Sequence, residues 1–124
     1  MVEEIYFFDS YAIIEILKGN EHYRPYEHGI ILTTKLNVFE VCYSLLRDFK
    51  EQEAQQFLEK YFPFIVDFDD DIIMEAAKFR LQHKKRNLSM ADCIGYITAR
   101  RWGVKFLTGD KEFEEIKENV EFVK

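Results

Sequence analysis

The chain has 124 residues and a formal net charge of −6, with 48% hydrophobic and 16% aromatic residues against five Gly and two Pro. That length suits one domain burying roughly two-thirds of its unfolded surface, and the composition excludes a disordered, collagenous or low-complexity chain. Apolar runs such as Ile5–Phe8 fall far short of the roughly 20 residues that a membrane span needs, so no membrane association is expected. The start, Met1-Val2-Glu3-Glu4, is acidic where a secretory signal carries positive charge. Cys42 and Cys93 fit neither a disulfide framework nor a CxxC metal pattern, which points to a reduced, cytoplasmic protein with two core thiols.

In chain order, Ile5–Phe8 is a short apolar run suited to a strand buried on both faces. Asp9-Ser10 opens a helix over residues 11–18, closed by Gly19-Asn20. A polar loop with Pro25 follows, then a second β-rich run at 29–33. Thr34 can cap a helix bearing Val38, Val41, Cys42, Leu45 and Phe49 on one face. Helix continues over 51–61, stopped by Pro63, and residues 64–68 form a third strand candidate. A helix over about 70–83 and a basic loop at 84–88 lead to Ser89 and a helix ending near Trp102-Gly103. Residues 104–107 are a fourth strand, a short acidic helix follows, and 120–123 read as a fifth strand. Alternating helices and apolar strands imply a single α/β domain spanning 1–124, with a parallel sheet covered on both sides.

The charge is unevenly spread. Between Lys78 and Lys105 the chain carries +7, and the remainder carries −13. That stretch suits either a basic helical face balancing an acidic body or a phosphate-binding rim beside one acid, Asp92. The run Asp69-Asp70-Asp71 opens a helix, where carboxylates oppose the N-terminal dipole.

In open parallel sheets, ligands sit beyond the carboxyl ends of the strands. Asp9 follows the first strand directly and Thr108-Gly109-Asp110 the fourth, so two acids distant in sequence share one sheet edge. Taken singly, Asp9 and Asp110 read as helix caps. Asp92 reads as either a capping-box partner of Ser89 or an inward-facing ligand, on a stripe with Gly95, Tyr96 and Ala99. Helical periodicity places Glu40 on a solvated side with Asn37, Ser44 and Arg47. Taken together, four acids within about 6 Å repel by roughly 3 kcal/mol per pair at an effective dielectric near 20, so they raise their own pKa values or bind a cation. Oxygen-only ligands suit Mg²⁺ or Mn²⁺, and such a cation beside a basic rim equips a site for phosphodiester hydrolysis.

Four segments carry a resemblance. Ile5-Tyr6-Phe7-Phe8-Asp9-Ser10, Asn37-Val38-Phe39-Glu40-Val41, Leu88-Ser89-Met90-Ala91-Asp92-Cys93-Ile94 and Leu107-Thr108-Gly109-Asp110-Lys111-Glu112-Phe113, in that order, resemble the motifs of PIN-domain ribonucleases. The likeness is greatest to the small toxins of VapBC toxin–antitoxin pairs, and it spans essentially the whole chain. It implies a three-layer α/β/α fold with a central parallel sheet of about five strands. It also implies a metal-dependent endoribonuclease leaving 5′-phosphate and 3′-hydroxyl ends, with Asp9, Glu40, Asp92 and Asp110 as metal ligands and catalytic groups. Ser10 and Thr108 then orient the carboxylates from behind. Glu112, where many members carry Asp, is expected in the same supporting position. Tyr11 stands where many members carry a small or hydroxyl residue, which narrows the pocket.

Lys84, Lys85, Arg86 and Arg100 are expected to neutralise RNA phosphates. The resemblance further implies a homodimer and a separate antitoxin chain, and Tyr11, Tyr23, Tyr26, Phe49, Phe57 and Tyr61 can contribute to an apolar patch for such contacts. Two other classes fit some of the residues. A haloacid-dehalogenase-type phosphatase also places Asp after its first strand, but needs a second Asp where Tyr11 stands. A catalytically silent PIN-like module would only bind protein or RNA.

Overall fold

Short runs of Phe, Ile, Leu and Val supply the strands of a computed structural model that describes residues 4–124; the acidic start at Met1, Val2 and Glu3 lies outside the described residues. The strands are β1 (Ile5–Phe8), β2 (Ile30–Leu32), β3 (Lys105–Thr108) and β4 (Val120–Phe122). All pair in parallel in the order β2-β1-β3-β4. Phe7 sits opposite Leu32 on one side and Phe106 on the other.

Because side chains alternate along a strand, the adjacent Phe7 and Phe8 serve opposite faces, and both are fully buried. Five helices cover those faces: α1 (Ser10–Leu17), α2 (Lys35–Asp48), α3 (Glu51–Tyr61), α4 (Asp70–Gln82) and α5 (Met90–Arg101). Phe7 packs with Phe79, Ile94, Tyr96, Phe106 and Phe113 beneath α4 and α5. Phe8 packs with Ile13, Tyr23, Val41, Phe57 and Leu107 beneath α1–α3. Each such ring contributes roughly 1.5–3 kcal/mol of burial, and two cores back to back on one sheet are what a three-layer α/β/α fold requires.

Of the stripe on α5, Gly95 makes the closest approach to the sheet. A Cβ there would lie 2.9 Å from the Phe7 ring and 3.2 Å from Phe106, so the absent side chain sets how deeply α5 seats.

The expected third strand is reduced to one bridge. Pro63 brings no N–H donor, residues Phe62–Phe64 turn as a 3₁₀ helix, and only Ile65 meets Thr33 beside β2. The sheet therefore has four strands with this bridge at its margin. The acidic helix expected after β3 is a single 3₁₀ turn, Lys111–Phe113. The polar loop after α1 contains another, Glu21–Tyr26, capped by Asn20. Of the six aromatics expected to form a patch, Tyr23, Phe57 and Tyr61 are core residues. Tyr26 is half-buried, and only Tyr11 and Phe49 are exposed. Cys93 is buried and Cys42 half-buried, both as free thiols.

Candidate metal centre

The parallel sheet and its helix connections bring four carboxylates to one end of the molecule. Asp9 ends β1 and caps α1, its Oδ1 accepting the Ala12 N–H at 2.8 Å. Asp110 follows β3 and caps the 3₁₀ turn, its Oδ1 accepting the Glu112 N–H at 3.0 Å. Asp92 closes a capping box at the start of α5: its Oδ2 accepts the Ser89 N–H at 2.8 Å, and Ser89 Oγ accepts the Asp92 N–H at 3.0 Å. In each, a backbone N–H holds one oxygen and orients the carboxylate.

Glu40 arrives by a different route. The Ser10 hydroxyl donates to its Oε1 at 2.6 Å. Asn37 Nδ2 donates to Ser10 Oγ at 3.1 Å, and the Thr34 hydroxyl donates to Asn37 Oδ1 at 2.6 Å. This relay of Thr34, Asn37, Ser10 and Glu40 turns the supposedly solvated side of α2 inward. Asn37 is buried, and sequence reasoning left it among the surface residues. The available signal was its position one turn before Glu40, opposite a hydroxyl following a strand.

The electrostatics fit convergence. Burial pushes the Asp9 carboxyl up to about 8, against the opposing pull of the Ala12 N–H and the Thr108 hydroxyl, and the charges of Asp92 and Asp110 add to the rise. Burial also raises Asp92, to about 6, opposed by Ser89 and assisted by Asp110 and Glu40. Neither Asp9 nor Asp92 forms an ion pair with a Lys or Arg among the described residues. Thr108 joins the two strand-end acids, since its Oγ1 also accepts the Asp110 N–H at 3.0 Å.

An all-oxygen set without a basic partner is the donor chemistry of a hard divalent cation. No three of the four acids bring oxygens within 4.8 Å of one another among the described residues. Metal–oxygen distances of about 2.1 Å place opposite ligands about 4.2 Å apart, and Mg²⁺ usually keeps several waters with one or two carboxylates. The residues fit a cation held partly through water. Asp69, Asp70 and Asp71 do lie within 4.8 Å of one another, all exposed. They cap α4 instead, Asp69 accepting the Ile72 N–H and Asp70 the Asp71 N–H, each at 3.0 Å.

The supporting and basic residues divide. Glu112 is engaged by the basic loop: its Oε1 accepts the Asn87 N–H at 3.2 Å. Arg86 reaches the Glu112 carbonyl and pairs with Glu115 at 3.0 Å. These contacts tie the basic loop to the turn that bears Asp110. Lys84 and Lys85 are exposed on that loop. Arg100 is not at this end. It lies eight residues beyond Asp92, about 12 Å along α5, paired with Glu75 at 3.7 Å and Glu118 at 3.8 Å.

Residues 6–119 match the PIN domain family, and the chain belongs to that family. No curated protein matches it. Its fold is similar to that of VapC20 from Mycobacterium tuberculosis, described as a Sarcin-Ricin loop cleaving toxin, at TM-score 0.77 and 17% identity, covering 96% of this chain and 99% of that one. VapBC2 from Rickettsia felis, bound to a DNA fragment from its promoter, is similar at TM-score 0.72 and 18% identity, covering 97% and 99%. A toxin–antitoxin complex from Klebsiella pneumoniae is similar at TM-score 0.71 and 20% identity, covering 90% and 92%. At these identities the likeness is one of fold. No helix among the described residues is long and apolar enough to cross a membrane.

Proposed function

We propose that this chain is an Mg²⁺- or Mn²⁺-dependent endoribonuclease, the toxin of a VapBC-type toxin–antitoxin pair, working in the reducing cytoplasm as a homodimer. The observation that carries this reading is the gathering of Asp9, Glu40, Asp92 and Asp110 at the carboxyl end of the sheet, with no ion pair to Asp9 or Asp92 among the described residues. Membership of the PIN family and the toxins among its fold neighbours support it.

A divalent cation, when bound, supplies Lewis-acid stabilisation of phosphoryl charge and lowers the pKa of water at the site. The chain's own residues do the rest. Asp9, Asp92 and Asp110 each present an oxygen beyond the one tied to a backbone N–H, so the carboxylates are preorganised. Ser10 and Asn37 orient Glu40, and Thr108 holds the two strand ends together, as supporting hydrogen bonds do around metal ligands. Lys84 and Lys85 neutralise phosphates flanking the cut, while Arg86 braces their loop. Glu112 anchors the loop backbone rather than binding metal.

The test is cleavage of a mixed, end-labelled RNA pool in Mn²⁺, in EDTA, and by Asp9→Asn. Cutting that requires both Mn²⁺ and Asp9 bears out the reading. Metal-independent cutting overturns the metal assignment. Absence of both cutting and Mn²⁺ binding replaces it with a silent binding module.

A further inference from the structure

A cleft of about 290 Å³ borders the turn after β3. Its lining includes Tyr11, Tyr23, Gly109, Lys111, Glu114 and Lys124. Gly109 and Lys111, which line the cleft, flank Asp110 in the turn after β3. Tyr11 is 41% exposed, and its phenol is raised chiefly by burial, then by the charges of Glu15, Asp110 and Asp9. The ring lines the cleft two residues after Asp9 and packs against Gly109, the residue before Asp110.

Three features of this cleft go unused by the proposed chemistry. The Tyr23 hydroxyl is buried and has no hydrogen-bond partner, although buried hydroxyls almost always find one. Gly109 lets Tyr23 and Tyr11 pack directly against the turn: a Cβ would strike that hydroxyl and come within 2.8 Å of Tyr11 Cε1 and 2.9 Å of the Val123 carbonyl oxygen. The rim carries two lysines against one glutamate, and Lys111 forms no ion pair among the described residues. An exposed aromatic ring and an unpaired lysine at the rim match two parts of a nucleotide, the base face and the phosphate. The cleft is far too small for a helix, which is about 10–12 Å across.

We infer that this cleft is a binding subsite for one unpaired nucleotide next to the cleaved phosphate, with Tyr11 stacking on the base and Lys111 meeting the phosphate. The inference rests on the nuclease reading for its substrate. The turn after β3 then serves two contacts with one strand. Glu112 anchors the basic loop, and Gly109 and Lys111 line the subsite. Sequence preference in cutting arises at Tyr11, not at the lysines of the loop, because phosphate contacts carry no sequence information.

The experiment titrates a 2-aminopurine-containing hexaribonucleotide with the full chain in EDTA, which separates binding from cleavage. Wild type is expected to quench the fluorophore by stacking and Tyr11→Phe to keep the quenching. Tyr11→Leu, folded by circular dichroism, should bind about 5- to 100-fold more weakly without quenching. In the Mn²⁺ assay, Tyr11→Leu should flatten the base preference beside the cut and raise KM with little change in kcat. Equal affinity and quenching for Tyr11→Leu overturn the subsite while leaving the nuclease reading intact. If Tyr11→Leu also shifts the oligomer mass, the ring belongs to a protein contact and the inference falls. Quenching that depends on Tyr11 in a protein that cuts no RNA preserves the subsite and removes the nuclease. An absence of wild-type binding in both EDTA and Ca²⁺ overturns the subsite outright.

Discussion

The two ends of α5 treat charge in opposite ways. At its C-terminal end, Arg101 pairs with Glu75 at 2.8 Å, and Arg100 is shared between Glu75 and Glu118. Those arginines hold Glu75 below the usual carboxylate range, the Arg101 hydrogen bond contributing most. At its N-terminal end Asp92 faces Asp110 and Glu40, and its acid is raised. One helix thus shows that this chain pairs charge where pairing serves only the fold. The unpaired end is left for a charge that arrives from outside.

Replacing either buried acid should break that contrast most severely. Asp9→Asn or Asp92→Asn, each retaining a capping oxygen, should lower kcat/KM for RNA at least about 100-fold with the circular dichroism spectrum unchanged. Next comes the response to metal. Saturating Mn²⁺, at about 100 times its Kd, should stabilise wild type by roughly 2.7 kcal/mol. This is read as a thermal midpoint several degrees higher, reversed by EDTA and largely lost in Asp9→Asn.

The metal-free protein should also respond to pH in a defined direction. Asp9 has an ordinary value of 3.8 and a folded value of about 8. The folded state therefore keeps a proton that the unfolded chain releases, so stability is full below about pH 4, declines through that window and levels off above about pH 8. Asp92 adds a decline ending near pH 6. Unfolding free energies from urea titrations in EDTA should fall by an amount on the order of 5 kcal/mol between pH 5 and pH 8, and Asp9→Asn should flatten the upper half of that fall. A rising curve would mean that a cation of the chain pairs with Asp9. The smallest effect belongs to the paired end. Glu75→Gln should move the thermal midpoint by about 2 °C or less, because exposed ion pairs contribute little, and should leave cleavage unchanged.

Asp9, Asp92 and Asp110 were legible in the sequence because each follows a local rule. Two sit at strand ends and the third in a capping box, and backbone geometry alone carries them to the edge of the sheet. Glu40 was legible only through family resemblance. Periodicity on α2 assigned it to solvent, and its inward role depends on Ser10, thirty residues away in sequence. Arg100 belongs to the same basic segment as the loop lysines, but the length of α5 carries it away from the acids, where it pairs with Glu75 and Glu118. The run after Pro63 has strand composition and lacks strand geometry, since its pairing ends at Ile65. Burial of Tyr23, Phe57 and Tyr61 follows from how the helices stack, which composition does not encode.

Gly95 joins the inner core to the acidic edge. Asp92 lies one turn before it on the same stripe, and the depth at which α5 rests on Phe7 and Phe106 sets the height of that carboxylate above the sheet. An added methyl group at position 95, wholly inside the protein, would have to lift the helix or displace two packed rings. Either response tilts Asp92 relative to Asp9, which is anchored on the strand beneath. In a mutational screen, position 95 would therefore behave as part of the reaction centre, although its side-chain space opens onto nothing but phenylalanine.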